Sequence, residues 1–337
     1  MIKKIWVIII FVLISIILSI CVGNVFISPK EIITIFIHKI FSPNLPNLID
    51  NKINADIIFN IRFPRSILAF FVGASLSLTG VVMQSILRNP LASVYNLGIS
   101  SGAGLGASLL IITGINFNQY IFSSMSTLFA FITIIFILFI AGRIDKYMNN
   151  NSIILAGIVI SLFLYSIMSF FIYIFPKYSN RIILWQLGNL YLKNFLDILI
   201  IILITIIFLI ILIKYSTVLD IMTFGDTTSL SLGVDAKKMR IFFIMVSSFI
   251  TAVLVSFVGI IGFVDLVSPH IVRKIFGAKH IIVVPMSALF GGILLNIADI
   301  FSRILIQGAN IPIGIVTALI GAPFFLYIFL NNKAAGN

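Results

Sequence analysis

Charged side chains are scarce in this chain of 337 residues. They make up 9% of it, whereas soluble domains carry roughly a quarter. Hydrophobic residues make up 61%, and the mean hydropathy is +1.22. This balance excludes an ordinary soluble protein and predicts an all-α polytopic membrane protein. At about 20 apolar residues per spanning helix, the chain has room for about ten crossings.

Cysteine is nearly absent, and clusters of basic residues are missing. Cys21 is the single cysteine, which excludes an internal disulfide; its place in the first apolar run predicts a small buried hydrophobe. The formal charge is +12, but no run of five or six lysines and arginines occurs. We therefore expect no nucleic-acid partner.

Motifs for catalysis, phosphate binding and metal binding are also missing. There is no G-x-x-x-x-G-K-[ST], H-E-x-x-H or G-x-S-x-G, and the three histidines are widely separated. The pattern predicts no enzyme and no metal site. Asp265 and Asp299 are the acids expected within the bilayer, too few to favour an ion-coupled carrier. Asp299 lies four residues before Arg303, which is the spacing of an ion pair on one helix near its outer end.

Ten apolar runs are present, of which the short one at 265–276 is doubtful as a crossing. The runs are 5–22, 61–86, 94–115, 120–142, 152–175, 195–213, 241–263, 265–276, 281–306 and 312–331. The first exceeds a signal-peptide core and lacks a cleavage site, so we expect an uncleaved helix. With the amino terminus inside, cytoplasmic segments hold thirteen of the 22 lysines and arginines. This bias predicts that both termini are cytoplasmic.

Residues 1–337 are expected to form a single transmembrane domain with two long connections. Residues 23–60 contain three prolines and fall outside the cell in this topology. Residues 214–240 fall inside and carry seven charges, enough to form a surface for another protein. A shorter break follows Arg88, because Asn89-Pro90 ends a helix and small residues open the next one.

Several motifs occur in collinear order from about Arg62 to Leu330. They are IRFPRSILAFFVGASLSLTGVVMQSILRNPLA, LGISSGAGLGA, LSLGVDAKKMR, GFVDLVSPHIVRKIFGAKH, ALFGGILLNIADIFSR and IPIGIVTALIGAPFFLYIFL. Together they resemble the FecCD family, the permeases of ABC importers for ferric siderophores, haem and cobalamin. The chain departs from that pattern at Ser93-Val94, at Ser229 and at Asp265, which replaces a glycine.

The resemblance implies a type II ABC importer permease with about ten helices in the bacterial inner membrane. It implies a second permease subunit, expected to be another copy of this chain, and two cytoplasmic ATPases. It also implies an extracytoplasmic substrate-binding protein. This chain would bind no cofactor itself, since ATP and Mg²⁺ would be held by the ATPases. The residues leave the choice among siderophore, haem and cobalamin open, and an ion-coupled secondary transporter remains the alternative.

The resemblance also implies site residues on both sides of the membrane. Arg62, Arg65 and Arg303 would grip acidic residues of the binding protein; the alternative is that they are interfacial anchors. Residues 222–240 match the segment of two short helices that fits a cleft in the ATPase. Its predicted contacts, with three helix-capping candidates first, are Asp226, Thr227, Thr228, Ser229, Leu230, Leu232, Gly233 and Val234.

Candidates for the translocation path are less specific. The polar and small residues that could line it are Gly80, Gln84, Asn96, Ser100 and Ser101, and a cytoplasmic constriction would lie at Asn150 and Asn151. Helix packing explains the same residue types equally well. Asp265 is expected to cap the helix that follows it from a watery outer vestibule.

Overall fold

The structure is a computed structural model that describes residues 2–23, 25–41, 52–191, 194–306 and 308–334. Its helices, in chain order, are α1 Ile2–Cys21, α2 Pro29–Phe41, α3 Lys52–Ile57, α4 Phe63–Ile86, α5 Ile99–Ile112, α6 Gln119–Ile144, α7 Asn150–Ile174, α8 Pro176–Gln186, α9 Phe195–Lys214, α10 Ser216–Thr223, α11 Asp226–Ser231, α12 Ala236–Val258, α13 Val264–Phe276, α14 His280–Ile304 and α15 Ile313–Ala334. Within the described ranges the only β-type pairing is one isolated bridge, between Ile306 and Ala309. The predicted all-α class is confirmed.

Among the described residues, six helical segments are long and apolar enough to cross a membrane. They are Ile53–Ile86, Gln119–Ile144, Asn150–Ile174, Phe195–Lys214, Ala236–Val258 and His280–Ile304, and the shorter apolar helices are Trp6–Cys21, Ile99–Ile112 and Ile313–Tyr327. The 13 residues of α13 rise about 20 Å, less than the hydrocarbon thickness of about 30 Å. The chain is therefore a multi-pass membrane protein, while the count of ten crossings stays a prediction.

The second crossing begins earlier than its apolar run indicates. A continuous helix already starts at α3, and a π-helical turn over Ile58–Arg62 carries it into α4. Pro64 has no N–H, and its ring crowds the carbonyl four residues before it, a conflict that the wider π turn accommodates. Arg62 and Arg65 consequently lie within one long helix and not at its first turn.

Helix α4 is the centre of the molecule. It contacts α1, α9, α10, α12, α13 and α14, and 18 of its 24 residues are buried. Small residues permit this: a Cβ added to Gly73 would overlap the carbonyl of Gly291, so α4 and α14 touch backbone to backbone. By contrast, α6, α7 and α9 turn leucine, isoleucine and phenylalanine side chains outward, as lipid-facing helices do.

The predicted break after Arg88 is present. Leu87 ends α4, Arg88 has a φ of 50°, and a single 3-10 turn over Tyr95–Leu97 leads to Gly98, whose φ of 77° starts α5. Helix α5 covers only 14 residues, about 21 Å. The run predicted over 94–115 is thus a short helix preceded by irregular chain, because Asn89-Pro90 and Gly98 both interrupt helical geometry.

The two long connections contain helices of their own. The segment 23–60 holds α2 and α3, and a small apolar cluster of Cys21, Ile27, Ile35 and Ile58 fastens it to α1. Residues 42–51, with two of its three prolines, lie outside the described residues. The segment 214–240 holds α10, α11 and the start of α12. Cys21 is buried and unpaired, as predicted.

Candidate functional site

The three predicted docking arginines lie close to one another near the N-terminal end of α4. Arg62 is 6% exposed, and its guanidinium donates to the carbonyls of Ile20, Cys21 and Val25. The carbonyls of Ile20 and Cys21 lie at the end of α1, where no intrahelical donor remains for them, and Val25 lies in the chain that follows. Arg62 thus fastens α1 to the long helix.

Asp299 is fully buried between the other two arginines. Arg65 donates from Nε at 2.8 Å and from a terminal nitrogen at 2.7 Å to one carboxylate oxygen, and a terminal nitrogen of Arg303 lies 3.1 Å from the other. Arg303 also donates to the carbonyl of Val22 and the hydroxyl of Ser19. The predicted ion pair of Asp299 with Arg303 is confirmed, and Arg65 completes it from α4.

We call these four residues, Arg62, Arg65, Asp299 and Arg303, the arginine cluster. The guanidinium groups of the three arginines are buried or nearly so, and they donate to carbonyl and carboxylate oxygens. Beside them is a cleft of about 220 Å³ lined by Arg65, Tyr191 and Asn310 among others. The sequence predicts side chains that reach outward; the structure shows side chains that hold α1, α4 and α14 together. Docking of a binding protein on these arginines stays a prediction.

Two short helices are present at the other end of α4, but of these only α11 lies within the expected residues 222–240, since α10 already begins at Ser216. Asp226, Thr227 and Thr228 are the predicted capping residues of a short helix, but Gly225 occupies the cap position of α11. The Asp226 carboxylate instead receives Arg240 at 2.7 and 2.9 Å and Arg88 at 3.2 Å. Arg240 is only 1% exposed and also donates to the carbonyl of Met148. Asp226 therefore fastens α11 to α12 and to the chain after α4.

The other predicted contacts of this segment divide into an inner and an outer set. Ser229 is buried and donates to the carbonyls of Ile221 and Gly225. Leu230 and Leu232 are 69% and 58% exposed, and Phe224 beside them is 70% exposed. The exposed polar or small members of the predicted set are Thr227, Thr228 and Gly233, and Val234 is half-buried. We call the outward-facing Phe224, Leu230 and Leu232 the leucine surface.

The end of α11 explains why the leucine surface has a defined shape. Gly233 has a φ of 82°, which a side chain would disfavour, and Val234 N–H donates to Ser229 C=O at 2.8 Å, the closing bond of a Schellman motif. Asp235 then caps α12 by accepting from the backbone N–H of Lys238. That hydrogen bond keeps the pKa of Asp235 below its usual value.

Gly80 and Gln84 lie where α4 crosses α13. A Cβ on Gly80 would overlap the backbone carbonyl of Asp265, so this glycine is required for close approach of the two helices. Gln84 donates to the carbonyls of Asp265 and Leu266 and accepts from Arg273. Both residues join helices here; lining of the path by them stays a prediction.

The remaining path candidates are spread over two helices and the break before α5. Asn96 and Asn151 are exposed, Ser100 is half-buried, and Ser101 is buried with its hydroxyl bonded to the carbonyl of Gly98. Asn150 donates to the carbonyl of Leu87 at 2.8 Å. That contact ties the start of α7 to the end of α4, near the predicted constriction, and the structure does not otherwise bring these residues together.

Asp265 does not face an outer vestibule, so that expectation is wrong. It is 1% exposed, Phe263 occupies the cap position of α13, and the carboxylate accepts from the hydroxyl of Ser93. Ser93 precedes α5, and the backbone of Asp265 touches the second half of α4. The chain between α12 and α13 therefore turns back into the protein, which a run of apolar residues cannot reveal.

Sequence reasoning missed a cavity and a polar chain beside α10. The cavity, of about 650 Å³, is lined by Gln84, Ser85, Arg88, Asn89, Pro90, Asp220, Thr223, Phe224, Arg273, Ala278, Lys279 and His280. His280 lies 2.6 Å from Asp220 through Nδ1 and 2.6 Å from the Ser85 hydroxyl through Nε2. Ser85 lies 195 positions and Asp220 lies 60 positions from His280, so no local sequence motif marks this group.

The order Ser85, His280, Asp220 is that of a hydrolase triad, but the surroundings of Ser85 differ from those of a nucleophile. Its hydroxyl lies in the last turn of α4, 4% exposed, and bonds the carbonyl of Val81 at 2.7 Å while accepting from Arg273 at 3.0 Å. A nucleophilic serine is instead presented to substrate on an exposed turn. Across the described residues, no group of three or more histidine, cysteine or acidic side chains could hold a metal ion.

Comparison with known proteins agrees with this architecture. The sequence model of the FecCD transport family matches residues 10–331 of this chain. The ABC transporter permease protein YvrB of Bacillus subtilis is 33% identical over 97% of this chain and 93% of its own. The Fe(3+)-citrate import system permease protein YfmE of the same organism is 35% identical over 93% of this chain and 90% of its own.

A solved structure agrees over the whole length. It is described as an inward-facing conformation of a metal-chelate type ABC transporter. It matches with a TM-score of 0.84 and 28% identity, and the match covers 98% of this chain and 100% of that chain. The multi-pass helical fold contains the buried arginine cluster and the short helices α10 and α11. The chain that forms it belongs to the FecCD transport family.

Proposed function

We propose that this chain is the permease subunit of an ABC importer that moves an iron chelate, such as a ferric siderophore or haem, or cobalamin into the cytoplasm. The relatives support this assignment, since YfmE is named for ferric citrate import and the matched structure for a metal chelate. We place the chain in the bacterial inner membrane with both termini in the cytoplasm.

The leucine surface carries the proposal. Large apolar side chains exposed beside charged residues are typical of a protein interface. Here they stand on and beside the short helix α11, which the ion pairs of Asp226 with Arg88 and Arg240 hold in place. The leucine surface, next to the membrane helices, is suited to contact with a cytoplasmic ATPase that must transmit movement to the permease.

The remaining partners follow the same assignment. Two copies of this chain would form the path, and two ATPases would bind ATP and Mg²⁺, with no cofactor held by this chain. An extracytoplasmic binding protein would meet the face with the arginine cluster, where three guanidinium groups stand against one carboxylate. This excess of positive charge attracts acidic side chains even while the guanidinium donors are occupied.

The ion-coupled alternative is not favoured. Asp299, in the apolar run 281–306, is ion-paired with Arg65 and Arg303 and is fully buried. The ion pair with Arg65 joins α4 to α14, so the carboxylate serves to hold the two helices together.

The test is uptake by proteoliposomes that contain this chain and its ATPase, with ATP trapped on the ATPase side and the loaded binding protein on the other. Ferric citrate, a ferric siderophore, haem and cobalamin are supplied in turn. We expect accumulation of one of them that requires hydrolysable ATP and survives collapse of ion gradients by ionophores. Uptake driven by a proton or sodium gradient without ATP would overturn the proposal.

A further inference from the structure

A continuous chain of hydrogen bonds runs from α10 to the start of α13. It begins at Asp220 on α10, whose carboxylate accepts from the backbone N–H of His280 at 3.0 Å and lies 2.6 Å from its Nδ1. The Nε2 of the same ring lies 2.6 Å from the hydroxyl of Ser85 on α4. One histidine at the first residue of α14 therefore bridges α10 and α4.

The second half of the chain reaches α13 through Arg273. Its guanidinium donates to the hydroxyl of Ser85 at 3.0 Å, to the carbonyl of Val81 at 3.2 Å and to the amide oxygen of Gln84. The amide nitrogen of Gln84 donates at 3.3 and 3.2 Å to the carbonyls of Asp265 and Leu266. These carbonyls belong to the first turn of α13, and the side chain of Asp265 contacts Ser93 ahead of α5.

We propose that His280 is a positioning residue of the transport cycle, which passes movement of α10 to α4 and α13. The inference rests on the proposed function, because it takes α10 and α11 as the segment on which the ATPase acts. Both ring nitrogens of His280 are engaged and the residue is 2% exposed. An imidazole held at both ends is stiff, so displacement of Asp220 must displace Ser85 or break one of the two bonds.

The other attachment of this segment starts at Asp226. Its carboxylate is bonded to Arg240 on α12 and to Arg88 just after α4, and Arg240 in turn donates to the carbonyl of Met148 before α7. That route fixes the position of α11 but does not touch the first turn of α13. The route through His280 instead ends at α13, a helix of 13 residues, and at Ser93 ahead of α5, a helix of 14 residues.

Space for such movement lies beside the chain. The cavity of about 650 Å³ is lined by Gln84, Ser85, Asp220, Arg273 and His280. The chain is thus packed on one side and open on the other. A shift of α10 into this cavity would therefore meet fewer side chains than a shift into a close-packed interior.

Three substitutions of His280 separate its two contacts. In His280→Asn the amide nitrogen stands near the place of Nδ1, so the contact with Asp220 is kept and that with Ser85 is lost. In His280→Gln the amide stands near the place of Nε2, so the contact with Ser85 is kept and the side-chain contact with Asp220 is lost, while the backbone N–H of residue 280 still donates to Asp220. His280→Ala removes both side-chain contacts. The matched control is His270→Asn, because His270 is a half-buried residue of α13 outside the chain of bonds.

The readout is the amount of substrate transported per ATP hydrolysed by the complex in proteoliposomes, normalised to the amount of assembled complex. We expect this ratio to fall at least tenfold in all three His280 variants, while His270→Asn keeps the wild-type ratio. A residue that serves folding alone would lower the amount of complex and leave the ratio unchanged, and that result in His280→Asn and His280→Gln would overturn the inference. Failure of the wild-type complex to couple ATP to uptake would instead reject the proposed function.

Discussion

Arg240 donates two hydrogen bonds, of 2.7 and 2.9 Å, to the carboxylate of Asp226, although the arginine is buried and the aspartate is 40% exposed at its side chain. A buried guanidinium that loses its carboxylate is costly, whereas an exposed pair contributes little. The pair of Arg240 and Asp226 is buried on one side only, so its contribution to stability lies between those of an exposed and a buried pair. It fixes the position of the first residue of α11.

Arg240→Met should therefore loosen α11 by roughly 1–3 kcal/mol, between the effects of removing an exposed and a buried ion pair. Hydrogen exchange of the amides of residues 225–235 measures this as faster local opening. Lys238→Met is the matched control, because Lys238 pairs with Asp235 at 3.3 Å on the surface of the same helix. Equal exchange in both variants would show that the buried pair does not hold α11.

Replacing Leu230 and Leu232 together with aspartate should detach the ATPase while the permease stays in the membrane. Burying two charges in an apolar contact costs about 2 kcal/mol or more, which corresponds to about thirtyfold weaker binding. Co-purification of the ATPase with a tagged permease is the measurement. Ser231→Asp, an exposed charge on the same helix, is the control, and undiminished co-purification with the double variant would remove the leucine surface from the interface.

Asp299 and Arg65 should be strongly coupled in stability. Removing either one leaves a buried charge short of its partner, so Asp299→Ala and Arg65→Ala each destabilise by about 3–5 kcal/mol. The double variant should be less destabilised than the sum, with a coupling energy of about 0.5–3 kcal/mol. Thermal unfolding of the detergent-solubilised variants measures it. Additive effects would mean that the 2.7 Å contact does not stabilise the protein.

Gly80→Ala should be far more damaging than Gly262→Ala. The added methyl at position 80 overlaps the backbone of Asp265, and backbone cannot turn away as a side chain can, whereas a Cβ at position 262 meets nothing within 4 Å. We expect a loss of about 3 kcal/mol for the first and less than about 0.5 kcal/mol for the second. Membrane abundance and thermal stability of both variants decide, and equal behaviour would contradict the close crossing of α4 and α13.

Asp265→Asn should keep folding and uptake, because an amide oxygen still accepts from the hydroxyl of Ser93. Asp265→Leu should lower both, since it leaves Ser93 without this partner in a buried place. Uptake and membrane abundance are measured side by side. Loss of transport in a well-folded Asp265→Asn would mean that the carboxylate itself takes part in the cycle, against the proposed role of the ATPase.

Much of the architecture is predictable from local pattern. Apolar runs of sufficient length mark most of the helices, because a spanning helix satisfies its own backbone hydrogen bonds whatever surrounds it. The break at Asn89-Pro90 is equally local. The start of the long helix at Lys52 is not, since a proline at position 64 normally indicates a helix start and here follows a π turn instead.

The sites divide along the same line. The i, i+4 pair of Asp299 with Arg303 follows from helix geometry and was predicted, whereas Arg65, 234 residues away, joins it only through the packing of α4 on α14. Likewise the sequence indicated that residues 214–240 form a surface, with Leu230 among its contacts. It did not indicate that Asp226 faces Arg240.

By itself, then, the sequence determined the class of protein, the order of its helices and the family resemblance, because hydropathy, helix breakers and motifs are properties of neighbouring residues. Only the tertiary structure decided that the arginines are buried, that Asp265 turns inward against Ser93, and that His280 bridges Asp220 and Ser85. The physical reason is that these contacts join residues far apart in the chain. Each depends on the angle and depth at which one helix crosses another.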